Sequence, residues 1–246
     1  MDRTHELRVE PNVLRACQAW ANAAEGGWSR RVPGIAAFGC AAGYRSFNQV
    51  FVIGDHIEPA ALAEAISWYG PAGGHFRLRT RGELLEGVRE TLEAAGLVRQ
   101  GGLPTMTFAG VAAPPAPSSL RIERVSDAAT LHDHTRVVAE SFEWTTGDLA
   151  RVFGRPLLRN EVWAGWVGYE GERPVASSQL LVHGGVGGLY YVGTVKEARG
   201  RGYGEALTRT AIAEGCAQGC EEGVHQEGCC RARCCRPRCP YPCREG

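Results

Sequence analysis

The sequence has no excess of either charge and no long apolar run, and these absences exclude several classes of protein. Lys and Arg together number 27, as do Asp and Glu, so the formal net charge is zero. A general nucleic-acid or anionic-membrane binder usually carries a basic excess. No apolar run approaches the roughly 20 residues of a membrane helix, and the polar start MDRTHELRVE lacks the apolar segment of a secretory signal. We therefore expect a cytoplasmic protein that binds neither nucleic acid nor membrane.

Cysteine is nearly absent from most of the chain. The first 215 residues contain only Cys17 and Cys40, whereas the other eight of the ten cysteines follow. Without a sign of secretion, the even count does not predict a disulfide framework. Cys17 and Cys40 have no His or Cys partners nearby in the sequence, so we expect small core residues there. Hydrophobic residues make up 44% of the 246, which is enough for a folded core in one large domain or two smaller ones.

A proline-rich stretch divides the chain. Residues 111–119 contain three prolines among small residues, which is typical of an extended linker. We therefore predict an N-terminal domain over residues 1–110, a second domain over 120–219 and a cysteine-rich tail over 220–246.

The first segment has the pattern of an α/β unit. In the helix predicted over Glu83–Ala95, apolar residues recur at helical spacing, and Gly96 suits the position just after its end. The other predicted elements are a helix over Val13–Ala24, a strand over Gln49–Ile53, a helix from Pro59 to Gly70, and strands over His75–Arg79 and Leu103–Ala109.

The second segment predicts the order β-α-α-β-β-β-α, in which an antiparallel meander leads into a helix. The turn at residues 170–174 and the alternating strands on either side of it favour a β-hairpin. The predicted elements are a strand over Ser119–Val125, helices from Asp127 to Phe142 and from Asp148 to Phe153, strands over Val162–Tyr169, Val175–His183 and Leu189–Val195, and a helix over Glu205–Ala217.

The loop between the last strand and the last helix carries the clearest chemistry. It reads Arg199-Gly-Arg-Gly-Tyr-Gly204. Glycines allow a tight turn and a close approach of backbone to ligand, and the N–H groups at a helix start attract anions. The loop therefore predicts a phosphate or pyrophosphate site, with a plain tight turn and solvated arginines as the alternative. It is neither the dinucleotide fingerprint nor a P-loop.

This segment resembles motif A of the GNAT superfamily of acetyltransferases, whose signature is Arg/Gln-x-x-Gly-x-Gly/Ala after the fourth strand. The resemblance covers residues 120–219, with Lys196 in a position where the family often has proline. It implies a mixed-sheet α/β protein with the acyl-CoA N-acyltransferase fold, its second domain truncated at the tail.

The resemblance also implies a reaction and a set of binding residues. Acetyl-CoA would be the co-substrate, no metal would be needed, and the acetyl group would pass directly to an amine. A small-molecule amine is the favoured acceptor, with an aminoglycoside-like molecule and a protein N-terminus as alternatives. A backbone N–H of Thr194 or Val195 would polarise the thioester carbonyl. The residues implied to hold the cofactor are Val192, Thr194 and Val195 for pantetheine, and Arg199, Gly200, Arg201, Gly202, Tyr203 and Gly204 for pyrophosphate.

The acceptor side is less distinct. Glu143 follows the first helix of the second segment, where family members build the acceptor site, and its carboxylate could bind or deprotonate an amine. A solvated helix-end glutamate is the alternative. Strand alternation places Tyr190 and Tyr191 on opposite faces. The N-terminal segment resembles the degenerate first domain of two-domain family members, which would wall the acceptor site, or it is an unrelated α/β module.

The tail departs from the family pattern. After residue 219 we expect no strand, so the pantetheine cleft would have only one wall and activity would be weak. Three interpretations of the cysteine-rich end remain: a zinc site, a redox-active tail, or translation of a shifted reading frame. The corresponding functional alternatives are an inactive acyl-CoA-binding remnant and a metal-binding protein.

Overall fold

The computed structural model describes residues 3–41, 46–54, 56–69, 75–100, 105–109, 119–220 and 222–226. Its α-helices in these ranges are α1 (Arg3–Ala23), α2 (Pro59–Ser67), α3 (Gly82–Ala94), α4 (Ala128–Ser141), α5 (Thr146–Ala150) and α6 (Tyr203–Ala217). Its strands are β1 (Trp28–Val32), β2 (Ile35–Gly39), β3 (Gln49–Val52), β4 (Arg77–Arg79), β5 (Thr105–Ala109), β6 (Arg121–Arg124), β7 (Trp163–Glu170), β8 (Arg173–His183), β9 (Val186–Thr194) and β10 (Glu222–Gln226).

The first sheet has the strand order β1-β2-β3-β4, in which β3 and β4 are parallel and the other pairs antiparallel. The β1–β2 hairpin, whose turn contains Gly34 at φ +74°, was not predicted from the sequence. One face of the sheet packs Ile35 and Val50 against α2 and α3, while Phe38 and Phe51 on the other face belong to the core around α1. This sheet is therefore covered on both sides.

The second sheet has the order β5-β10-β9-β8-β7-β6. The strands β7, β8 and β9 form the predicted antiparallel meander, and α6 follows β9 as expected. The strand β5, which comes from the first segment, pairs antiparallel with β10 at the far edge. The second sheet thus takes one strand from residues 1–110, so the division into sheets does not follow the proline-rich stretch.

The expectation of no strand after residue 219 was wrong. The strand β10 pairs in parallel with β9, from Glu222 opposite Val186 to His225 opposite Leu189. Pairing with strands distant in sequence stabilises a segment whose local pattern is too short to predict a strand. The sheet therefore continues past β9, contrary to the expectation that β9 would have no neighbour on this side. The cysteines from residue 229 onward lie outside the described residues, as do Gly70 and residues 111–118 of the predicted linker.

Helix α1 joins the two segments. It begins at Arg3 rather than at the predicted Val13 and continues through Pro11, which removes one backbone hydrogen bond without ending the helix. Its residues Val13, Cys17 and Trp20 share a core with Leu181 on β8 and Tyr190 on β9. The first segment therefore packs directly on the meander.

Two helix ends form as their residues predict. Asp127 caps α4, accepting a hydrogen bond from the backbone N–H of Thr130 at 2.8 Å. Gly96 follows the end of α3 with φ +76°. Among the described residues, no helix combines the length and the apolarity needed to cross a bilayer.

Candidate functional site

Strand β9 contains a bulge at Tyr191. The register with β8 shifts between Ser177 and Gln179, and Tyr191 has φ +49°, which is rare for a bulky residue. The rings of Tyr190 and Tyr191 both contact Trp20, at centroid distances of 5.0 and 5.1 Å. The prediction that the two tyrosines lie on opposite faces was wrong, because the bulge interrupts the alternation.

Beyond the bulge, one edge of β9 has no strand partner among the described residues, and we call it the open edge. The described pairing with β10 ends at Leu189. The N–H of Val195 donates to the carbonyl of Val175 at 2.9 Å, so it cannot polarise a thioester as predicted. In an antiparallel ladder, consecutive residues direct their N–H groups to opposite sides of the strand. The residue before Val195 therefore directs its N–H away from β8. Thr194, which lies opposite Ala176, therefore presents its N–H to the open edge.

The glycine-arginine loop follows a 3-10 turn at Lys196–Ala198. Within the described part of the chain, none of the six backbone N–H groups from Gly200 to Glu205 donates a hydrogen bond. Gly200 and Gly202 both have φ +79°, and a Cβ at either would meet no atom within 4 Å. The backbone conformation, not a lack of space, is what requires glycine at these two positions.

Side chains hold this loop from outside. Arg199 donates to the carbonyls of Thr194, at 3.0 Å, and Ser141, at 3.4 Å. Arg201 pairs with the carboxylate of Glu170, which also accepts a hydrogen bond from the hydroxyl of Tyr203 at 3.0 Å. Both arginines thus have partners in the protein, and the backbone amides are the groups left for an anion. Glu170 was not singled out from the sequence, since its hairpin is remote from the loop along the chain.

Glu143 is exposed and has φ +58°. It follows α4 in a Schellman arrangement, in which the N–H of Trp144 donates to the carbonyl of Ala139 at 2.8 Å. This position usually holds glycine, so a glutamate here is strained. Its carboxylate makes no hydrogen bond or ion pair among the described residues.

Beside Glu143 lies an aromatic cluster centred on Tyr191. The ring of Tyr191 contacts five others at centroid distances of 5.1 to 6.1 Å. The five are Trp20, Phe47, Phe142, Trp144 and Phe153. Burial raises the pKa of the Tyr191 hydroxyl well above its usual range. Two of the partners come from the first segment, which therefore contributes to this side of β9.

Two buried titratable groups, Cys17 and His134, lie away from the loop. Burial raises the pKa of the Cys17 thiol to about 12 and lowers the pKa of the His134 imidazole to about 3, so both are neutral at pH 7. His183 is exposed at the end of β8. Within the residues that the structure describes, no group of three His, Cys, Asp or Glu side chains could hold a metal ion.

Comparison with known proteins agrees with this geometry. Residues 123–229 match the model of the acetyltransferase (GNAT) family. Residues 123–229 therefore form a domain of the GNAT superfamily. The matched part includes β10. It therefore extends past residue 219, the predicted end of the second domain. Because the family consists of acetyltransferases, the protein is a transferase of the acyl-transferring class.

One solved structure shows the same fold, and a second is similar over a shorter part of the chain. A GCN5-related N-acetyltransferase from Kribbella flavida superposes with a TM-score of 0.61 at 15% identity, covering 87% of this chain and 85% of that chain. A GCN5-related N-acetyltransferase from Ralstonia eutropha JMP134 is 24% identical over 44% of this chain and 82% of that chain, with a TM-score of 0.37. No match was found among curated proteins. The first likeness extends over most of the chain.

Proposed function

We propose that this GNAT protein binds acetyl-CoA with its diphosphate on the backbone N–H groups of residues 200–205. The observation that carries the proposal is the run of six unpaired amides at the start of α6. Oriented N–H groups and the positive end of a helix together favour a phosphate group. The side-chain anchors of the loop hold the amides in this arrangement before the ligand binds.

Pantetheine would lie along the open edge of β9, between Tyr191 and Thr194. The N–H of Thr194 would donate to the thioester carbonyl and stabilise the negative charge that develops on its oxygen. A neutral amine then attacks the carbonyl carbon. The new C–N bond forms, the C–S bond breaks, CoA leaves as thiolate, and the amine loses a proton.

The acceptor we propose is a small-molecule amine bound next to the aromatic cluster. The carboxylate of Glu143 is exposed beside this cluster and can attract a cationic group. The first segment acts as a wall for the acceptor, since Trp20 and Phe47 contact Tyr191. The cytoplasmic location remains a prediction from the sequence.

Calorimetric titration of the purified chain with acetyl-CoA tests the proposal, using Gly202→Ala and Gly96→Ala as a matched pair. Both glycines have positive φ, at +79° and +76°, and both have open space around a Cβ. The two substitutions therefore strain the backbone similarly, by about 1 kcal/mol. We expect the Kd for acetyl-CoA to rise at least tenfold in Gly202→Ala and to stay unchanged in Gly96→Ala.

Three results decide between this function and the alternatives. Equal binding by both variants would refute the loop as the phosphate site. Binding of acetyl-CoA without thiol release across a panel of primary amines would identify a non-catalytic acyl-CoA-binding protein. Zinc bound in stoichiometric amount after dialysis would favour the metal-binding alternative.

A further inference from the structure

Ser141, the last residue of α4, has a buried hydroxyl with no hydrogen bond within the described part of the chain. Hydroxyls on helices commonly donate to the carbonyl four residues earlier. Thr135 does so on the same helix, donating to Leu131 at 2.7 Å, and Thr210 does so on α6, donating to Ala206 at 2.9 Å. The Ser141 hydroxyl therefore lacks the partner that its position in a helix would normally supply.

The hydroxyl lies beside the open part of β9. A Cβ built on Gly193 would come within 2.9 Å of the Ser141 Oγ, so the two residues are in close contact. The guanidinium of Arg199 spans the carbonyls of Ser141 and Thr194. Ser141 is thus adjacent to the strand residue whose N–H faces the open edge.

An unpaired buried hydroxyl destabilises a fold, because it has lost its water without gaining another partner. Such groups are rare enough in native structures to need an explanation. We propose that the Ser141 hydroxyl donates a hydrogen bond to the thioester of bound acyl-CoA, beside the Thr194 N–H. This inference rests on the proposed function, and it assigns a second thioester donor that comes from α4 rather than from the sheet.

The test compares two ligands that differ only in the acetyl group. The Kd of the full chain for acetyl-CoA and for CoA is measured in the parent and in Ser141→Ala. A lost hydrogen bond to the thioester should raise the Kd for acetyl-CoA about fivefold and leave that for CoA unchanged. The Tm of the unliganded variant should stay the same or rise, since an unsatisfied group has been removed.

Ser178→Ala is the matched control. Ser178 is a buried serine whose hydroxyl donates to the carbonyl of Leu207 at 3.3 Å. This variant should lose thermal stability and keep the parent's ratio of the two Kd values. Should Ser141→Ala fail to fold, Ser141→Cys keeps the shape of the side chain in a slightly larger group, has a much weaker donor and should show the same selective loss.

Each result has a distinct meaning. An unchanged ratio of Kd values in Ser141→Ala would overturn the inference and leave the hydroxyl as a site for trapped water. An equal rise in the Kd values for both ligands would also overturn it, because the substitution would then act through the loop and not through the thioester. If the parent binds neither ligand, the proposed function fails and this inference fails with it.

Discussion

The two halves of β9 differ in how their backbone groups are paired. From Val186 to Leu189 the strand pairs with neighbours on both sides, whereas the described pairing with β10 does not continue past Leu189. In the first half, Asn12 of α1 donates to the carbonyls of Val186, at 2.8 Å, and Leu181, at 3.0 Å, and accepts from the Tyr190 hydroxyl at 2.7 Å. In the second half, the bulge at Tyr191 leaves the N–H of Thr194 directed to an open edge.

The difference separates stability from ligand binding. A buried polar group whose hydrogen bonds are all made contributes to a unique packing, and its loss leaves other groups unsatisfied. An oriented backbone group without a partner contributes nothing to the empty fold but is available to a ligand. We therefore expect substitutions in the first half to change stability, and substitutions around the second half and its loop to change affinity.

The largest expected effect belongs to Asn12→Ala in the first half. This substitution leaves the carbonyls of Leu181 and Val186 and the hydroxyl of Tyr190 without their partner, and it should lower the free energy of unfolding by about 3 kcal/mol. Gly188 faces the same amide, since a Cβ there would lie 2.1 Å from the Asn12 Oδ1. Urea unfolding measures the loss, and the Kd of the folded protein for acetyl-CoA should not change.

Asn160→Ala is the matched control for that experiment. Its side chain accepts one hydrogen bond, from the N–H of Val162 at 3.2 Å, at a half-buried position away from β9. We expect a loss of about 1 kcal/mol. Similar losses for the two asparagines, or a weaker Kd in Asn12→Ala, would remove the proposed division between the halves of β9.

Local residues are enough to predict the loop, but not what surrounds it. The spacing of Gly200, Gly202 and Gly204 after a strand predicts a tight loop with free amides, because the loop conformation and the exposed amides depend on neighbouring residues alone. The orientation of Tyr191 depends on a bulge relative to β8, which strand alternation cannot indicate. The β10 strand and its pairing with β5 depend on contacts between residues far apart in the sequence. The same holds for Glu170, which reaches the loop through the sheet.

An intermediate effect is expected for Glu170→Gln, which tests how the loop is held. The carboxylate binds Arg201 and Tyr203, the residues on either side of Gly202. The Arg201–Glu170 pair is about half exposed, with side-chain exposures of 48% and 44%, so its loss should cost less than about 1 kcal/mol of stability. Its effect on the amides should be larger, and we expect a roughly fivefold rise in the Kd for acetyl-CoA.

Glu172→Gln controls for the removal of one negative charge from the same hairpin. Glu172 is 98% exposed and lies 3.7 Å from Arg121, away from the loop. Glu172→Gln should leave the Kd for acetyl-CoA unchanged. Tighter binding by Glu170→Gln would show that this carboxylate competes with phosphate for Arg201, which would reverse its assigned role.

The smallest expected effect on stability comes from Glu143, at the end of α4 beside the second half of β9. Asparagine tolerates positive φ better than glutamate, so Glu143→Asn should stabilise the protein by about 0.5 kcal/mol, whereas Glu143→Gln keeps the strain and removes only the charge. Thiol release with 1,5-diaminopentane and with pentylamine then isolates the carboxylate. If Glu143 binds a cationic acceptor, both variants lose the preference for the diamine, with its KM raised several-fold and the KM for acetyl-CoA unchanged. An unaltered preference in Glu143→Gln would leave Glu143 as a solvated residue whose backbone, not its charge, shapes the end of the helix.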